Sequence, residues 1–179
     1  MKCLAQGHND MLTAVGFSPD PNTNALVHCA TASLVLALKI YTDGSKNKEE
    51  CVGVGIYIPD FKISISKRAS DQLSVYTAEM LAVIIGLQWV EEVRPDRVVM
   101  CTDSLSILQS IQSTTTARED ILIELNHSLL RLHRGSIDLQ FCWVPAHGGV
   151  KGNQCADKLV HYKRKSHYQF NLEKEKEKQ

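Results

Sequence analysis

The sequence has no excess charge of either sign: its 179 residues carry 20 Lys plus Arg against 20 Asp plus Glu. Zero net charge excludes a global attraction to nucleic acid, membrane surfaces or acidic substrates, so any nucleic-acid binding must come from local patches. A Cys-x-x-Cys pair is also missing. Cys3, Cys29, Cys51, Cys101, Cys142 and Cys155 are scattered among mostly apolar neighbours, which favours buried reduced thiols over zinc ligands. No basic start runs directly into an apolar stretch, since Lys2 is soon followed by polar Gln6-Gly7-His8-Asn9-Asp10, so no secretory signal is expected. The apolar stretch Ala25 to Ile40 includes His28 and Lys39 and falls short of the roughly 20 residues a membrane span requires. These absences predict a soluble chain in a reducing intracellular compartment, cytoplasmic or nuclear, with no membrane partner. They leave the oligomeric state open. No internal repeat is present.

What is present is enough apolar material, 44% of residues, for one ordinary core with ends to spare. Residues 1–32 are rich in Asn, Pro, Thr and Ser, as in Ser18-Pro19-Asp20-Pro21-Asn22, and read as a leader or linker. Residues 33–166 read as the folded domain. Residues 167–179 end in the mixed-charge run Glu173 to Lys178 and read as a solvated tail.

Within the domain, Ser33 to Tyr41 predicts a mostly apolar strand that stops at a turn, Thr42-Asp43-Gly44-Ser45. Gly53 to Ile58 predicts a second strand and Pro59-Asp60 a hairpin turn. Phe61, Ile63 and Ile65 then alternate as a third strand. Thr77 is placed to cap a helix in which Met80, Val83, Ile84 and Leu87 recur at helical spacing until Arg94-Pro95. Val98 to Cys101 forms a short buried strand ending at Thr102-Asp103-Ser104, followed by a short helix and a longer one with Ile121, Leu125 and Leu132 on one stripe up to Gly135. Ile137, Leu139, Phe141 and Trp143 alternate as the fifth strand. Pro145 to Gly152 is a loop, and Asn153 opens the last helix.

The order β-β-β-α-β-α-β-α predicts an α/β fold: a five-stranded mixed sheet, three antiparallel strands then two parallel, flanked by helices. The right-handed crossover rule gives this order a consequence for the site. The first, fourth and fifth strands all run the same way. Asp43 and Asp103 therefore fall at one edge, Glu79 in the opening turn of a helix starting there, His147 in a loop there, and Asp157 in the early turns of the last helix. This is the edge at which open α/β sheets place their sites. Clustered carboxylates repel unless a cation neutralises them, and an all-oxygen ligand set favours Mg²⁺ or Mn²⁺ over zinc. Two such ions sharing a carboxylate suit an in-line phosphoryl displacement.

Taken singly, each residue has an ordinary reading: Asp43-Gly44-Ser45 a turn, Glu79 and Asp157 helix-start charges, Asp103 a helix cap, His147 a surface loop residue. Their convergence at one sheet edge shifts the reading towards a site.

From about Lys39 to Lys165 the chain resembles the type 1 ribonuclease H domains, most closely those of retrotransposons lacking long terminal repeats. The resemblance is carried by Thr42-Asp43-Gly44-Ser45, Ala78-Glu79, Thr102-Asp103-Ser104 and, most specifically, Trp143-Val144-Pro145-Ala146-His147 through Asn153-Gln154-Cys155-Ala156-Asp157. It implies a ribonuclease H-like fold and endonucleolytic cleavage of the RNA strand of an RNA/DNA hybrid, without sequence preference, leaving 5′-phosphate and 3′-hydroxyl ends. It also implies that Asp43, Glu79, Asp103 and Asp157 hold two Mg²⁺ ions, with Mn²⁺ as a substitute. His147 would assist turnover and product release. Three departures stand out. Gln154 replaces the family's usual Glu, the loop after Ser45 is the short charged Lys46-Asn47-Lys48-Glu49-Glu50, and the segment between Asp103 and His147 has no room for the extra basic helix of cellular members. The last favours a retroelement origin. Two rivals remain: another nuclease of the same superfold, which would also use clustered carboxylates but does not end in the His147 to Asp157 signature, and a catalytically decayed nucleic-acid-binding module, against which the intact Asp43, Glu79, Asp103 and Asp157 speak.

Overall fold

Alternating and helical periodicities resolve into the expected order in a computed structural model that describes residues 36–112 and 119–163. The proposed leader 1–32 and tail 167–179, with Cys3 and Cys29, lie outside the described residues. The strands are β1 (Leu38–Lys46), β2 (Val52–Ile58), β3 (Ile63–Arg68), β4 (Arg97–Thr102) and β5 (Asp138–Trp143). The helices are α1 (Val75–Val93), α2 (Leu105–Gln112), α3 (Glu119–Arg134) and α4 (Lys151–Lys163). The sheet runs in the order β3-β2-β1-β4-β5. Its β1–β2 and β2–β3 pairs are antiparallel, and β1–β4 and β4–β5 are parallel. This is the mixed five-stranded α/β sheet that the strand order predicts.

Strand alternation sends the two sides of the sheet to different partners. Ile40, Ile56, Ile58, Val98, Met100 and Phe141 share a core with Met80, Val83, Ile84, Leu87 and Val90 of α1 and with apolar residues of α2 and α3. Full burial of each such side chain contributes roughly 1.5–3 kcal/mol, so α1 is the main fastening of that face. Val99, Cys101 and Val144 form a separate cluster with Tyr41, Cys142 and Val150, while α4 packs on β1, β2 and β3. Gly55 permits this second packing: a Cβ there would lie 2.3 Å from the Ala156 carbonyl oxygen.

Several boundaries differ from the sequence reading. Thr42 to Ser45 is strand rather than turn, because β1 continues in register with β2 as far as Lys46↔Val52. Phe61 belongs to a 3-10 turn, Pro59–Phe61, closed by Lys62 in the left-handed region. The cap of α1 is Ser74, whose hydroxyl accepts the Thr77 N–H at 3.1 Å; Thr77 itself is a buried helical residue. Glu79 therefore sits in the second turn of α1 rather than the first. Helix α4 starts at Lys151, so Gly152 is helical and not loop. As anticipated, α1 ends at Arg94, which is left-handed and donates its N–H to the Val90 carbonyl at 2.8 Å.

The described cysteines are free thiols, but among them only Cys101 is buried; Cys51, Cys142 and Cys155 are half-buried. Among the described residues, no helix is long and apolar enough to cross a membrane.

Candidate active site

Two parallel strands part company at the site. The β1–β4 ladder ends at Thr42↔Thr102, so Asp43 and Asp103 are the first residues beyond it on neighbouring strands. There β1 continues beside β2, with Asp43 opposite Gly55. β4 instead turns off, its Thr102 hydroxyl accepting the Ser104 N–H at 3.2 Å. The divergence lies at the C-terminal edge of the parallel strands, where open α/β sheets place their sites.

Glu79 reaches this edge because α1 lies against the backbone of β1. A Cβ on Gly44 would be 2.2 Å from Glu79 N and 2.3 Å from the Ala78 carbonyl carbon, a contact only glycine allows. The Gly44 N–H donates to Glu79 Oε2 at 3.1 Å. Ligand atoms of Asp43, Glu79 and Asp103 all lie within 4.8 Å of one another. Asp43 is 6% exposed and Glu79 8%, so neither charge is well solvated. Burial pushes the Glu79 carboxyl up to about 9, with repulsion from Asp43 and then Asp103 adding to it and the Gly44 hydrogen bond opposing it.

Asp103 is held at two points. Its carboxylate Oδ2 accepts the Asn153 Nδ2–H at 3.0 Å, and its main-chain oxygen accepts the Trp143 Nε1–H at 3.0 Å.

Asp157 is not part of the three-carboxylate group. Its backbone is close, because Ala156 touches Gly55, the partner of Asp43. Its carboxylate instead meets His161 Nε2 at 3.2 Å, one helical turn on. His147 is exposed in the turn after β5, with φ 55°. The structure thus brings together Asp43, Glu79 and Asp103, sets Asp157 on the adjoining helix and His147 on the adjoining loop.

The donor set fits a divalent cation. Three carboxylates offer only hard oxygen ligands, the preference of Mg²⁺ and Mn²⁺. Burial first and carboxylate repulsion second raise the Glu79 carboxyl, and positive charge at the centre of the group would relieve the repulsion.

The profile of the RNase H family matches residues 36–165, which include every described residue and all of the site residues above. The chain belongs to the RNase H family. It is similar to human Ribonuclease H1, with 28% identity over 137 residues that cover 68% of this chain and 48% of that protein. The chain therefore spans about half the length of this curated relative.

Within this RNase H domain, sequence reasoning overlooked Gly44, Trp143, Asn153 and His161 as partners of the carboxylates. His161 was detectable, lying four residues after Asp157 on one helix face. The contacts of Asp103 with Trp143 and Asn153 span 40 and 50 residues, and no local pattern signals them.

The Gly44 contact yields a prediction. Gly44→Ala drives a methyl into helix backbone, which cannot rotate away, and overpacking of this kind costs about 1–3 kcal/mol, occasionally more. A lowered midpoint in urea denaturation is expected, together with weaker cation binding as α1 moves from β1. Wild-type values for both would show that α1 is not seated on Gly44.

Proposed function

We propose that this RNase H domain hydrolyses the RNA strand of RNA/DNA hybrids endonucleolytically and without sequence preference, leaving 5′-phosphate and 3′-hydroxyl ends, with two Mg²⁺ ions or Mn²⁺ in their place. The observation that carries this reading is the grouping of Asp43, Glu79 and Asp103 within 4.8 Å at the sheet edge of a chain from this family. The name of the human relative, Ribonuclease H1, agrees with it.

Asp43, Glu79, Asp103 and Asp157 would hold the ions. When bound, the ions supply an activated water nucleophile and neutralise the leaving oxygen of an in-line displacement. Asp43, Glu79 and Asp103 would orient the phosphate-bearing strand by fixing the ions, and the Gly44 N–H keeps one Glu79 oxygen in place. Asp157 joins from α4 by leaving His161. The exposed His147 assists turnover and product release. Discrimination of RNA from DNA follows from the 2′-hydroxyls on the shallow minor groove of a hybrid, which can be read without reading bases.

We also read the domain as retroelement-derived. Among the described residues α2 and α3 are the only helices between β4 and β5, with no additional basic helix between Asp103 and His147.

Labelled hybrid, duplex DNA and duplex RNA, each with Mg²⁺ and then with excess chelator, test the proposal. Cleavage confined to the RNA of the hybrid and lost with chelator is expected. Equal cutting of duplex DNA would reassign the site to another nuclease activity, and binding of hybrid without cleavage would indicate a decayed module.

His147→Ala should slow turnover by about 10²- to 10⁴-fold, the usual worth of proton-transfer assistance, and leave a measurable rate. Inactivity as complete as that of an Asp43 variant, with normal cation binding, would give His147 a more central role.

Hybrid binding should be weak and only moderately salt-dependent. Lys46 is engaged by Glu50, leaving Lys48, Lys151 and Lys158 exposed around the site. About three phosphate contacts give a slope of log affinity against log salt near −3. A slope of about −6 or steeper would reveal a basic surface beyond these lysines.

A further inference from the structure

The loop that carries His147 is anchored at both ends to one carboxylate residue. Trp143, at the end of β5, binds the Asp103 main-chain oxygen, and Asn153, in the first turn of α4, binds its carboxylate. Between these anchors, residues 146–149 are all exposed. His147 and Gly149 both have positive φ, 55° and 80°. Its backbone bonds include the turn from Gly148 N to Pro145 O at 3.2 Å, one from Val144 N to Thr102 O at 2.9 Å, and one from Gln154 N to Val150 O at 3.0 Å where α4 begins. Residues 146–149 bury nothing, so their order comes from the ends of the segment, where Val144 and Val150 pack with Val99 and Cys101 and where Trp143 and Asn153 hold Asp103.

Asn153 is no ordinary filler of space. It is 4% exposed, and its Oδ1 is buried without a hydrogen-bond partner. Leaving a buried acceptor unsatisfied is destabilising, and an apolar side chain of like volume would avoid it. Flipping the amide would not help, because the oxygen would then face Asp103 Oδ2 in place of the donor. The amide is therefore oriented by Asp103, and Asp103 by the amide.

We infer that Asn153 is a positioning residue that sets the Asp103 carboxylate for a cation and makes the order of residues 144–152 depend on that carboxylate. The inference rests on the proposed function only in taking a cation to bind at Asp103. With one carboxylate oxygen tied to Asn153, the side chain is held in a single orientation before the cation arrives. Outer partners of this kind typically change metal affinity by about 10- to 100-fold. The coupling is reciprocal: if cation binding orders the loop through Asp103, loosening the loop weakens the cation.

Calorimetric titration with Mn²⁺ and amide hydrogen exchange of residues 144–152 test this on the wild-type chain, Asn153→Leu and Asn153→Ala. The two variants both remove the donor, one near constant volume and one with loss of volume, so a shared effect belongs to the hydrogen bond. In wild type, Mn²⁺ should slow exchange in the loop. In either variant, Mn²⁺ affinity should fall about 10- to 100-fold, loop exchange should be faster without metal, and Mn²⁺ should no longer slow it. Wild-type affinity in a folded variant overturns the positioning role. Lost affinity with unaltered loop exchange overturns the coupling. If the wild-type chain failed to cleave hybrid while Mn²⁺ binding still depended on Asn153, the proposed activity would fall and this inference would stand.

Discussion

Asp43→Asn is expected to abolish hybrid cleavage while the chain stays folded. The change is nearly isosteric at a residue only 6% exposed, so packing is preserved and one negative charge is removed. On the proposed function the loss falls on the cation site, where bound ions would contribute several kcal/mol of transition-state charge stabilisation. At 1.36 kcal/mol per factor of ten, the rate should drop by about 10³-fold or more. Stability should hold or rise, since repulsion by Asp43 is one of the causes raising Glu79. Calcium should bind the wild-type chain without supporting turnover. The measurements are cleavage of labelled hybrid and urea denaturation of the same preparation. A folded Asp43→Asn chain cutting at the wild-type rate, or wild type cutting fully in excess chelator, would remove the two-metal assignment.

Glu79→Gln is expected to stabilise the chain when cations are absent. The Glu79 carboxyl titrates near 4.5 when unfolded and is pushed up to about 9 in the folded chain. The folded state thus binds this proton more tightly, and stability is greatest below pH 4.5, falls as pH rises, and levels off above about 9. At pH 7 the unfolded carboxyl has ionised and the folded one has not. That gap, at about 1.36 kcal/mol per pH step, is a penalty on the order of 3 kcal/mol. Gln carries no such penalty. The variant should therefore melt higher in chelator, by about 2–4 °C for each kcal/mol gained. Its advantage should vanish towards pH 4 and grow towards pH 9. Saturating Mg²⁺ should stabilise wild type more than Glu79→Gln, because the cation favours the charged carboxylate. Equal stability of the two chains at pH 5, 7 and 9 in chelator would show that Glu79 ionises freely within the fold.

The two variants act on one physical feature from opposite sides. Glu79 is buried and stands beside Asp43 and Asp103, and for both reasons, burial first, it keeps its proton when no cation is bound. Function and stability are then opposed at this residue, a trade common at active sites.

Much of this was open to reading along the chain. Alternation in Ile137, Leu139, Phe141 and Trp143 and the helical spacing of Met80, Val83, Ile84 and Leu87 marked elements because burial on one side imposes a period. Strand order and crossover handedness place Asp43, Glu79, Asp103, His147 and Asp157 at one sheet edge, and the structure groups the carboxylates of Asp43, Glu79 and Asp103 there. Boundaries were harder where neighbouring residues compete for one task. Ser74 and Thr77 both offer a capping hydroxyl, and packing of Thr77 into the core decided for Ser74. Thr42 to Ser45 has turn composition, yet pairing with β2 keeps it extended.

What the sequence determined by itself was therefore the order and type of the elements, the sheet edge that carries the acidic residues, and the family resemblance, all of which rest on local periodicity and short motifs. Only the tertiary structure decided the fine arrangement of the site: Gly44 as the seat of Glu79, Asn153 and Trp143 as the two holds on Asp103, and Asp157 turned towards His161. Apart from the last, these contacts join residues far apart in the chain. They depend on the spacing and direction of packed elements to within a fraction of an ångström, and the sequence of each element carries its own period but not that distance.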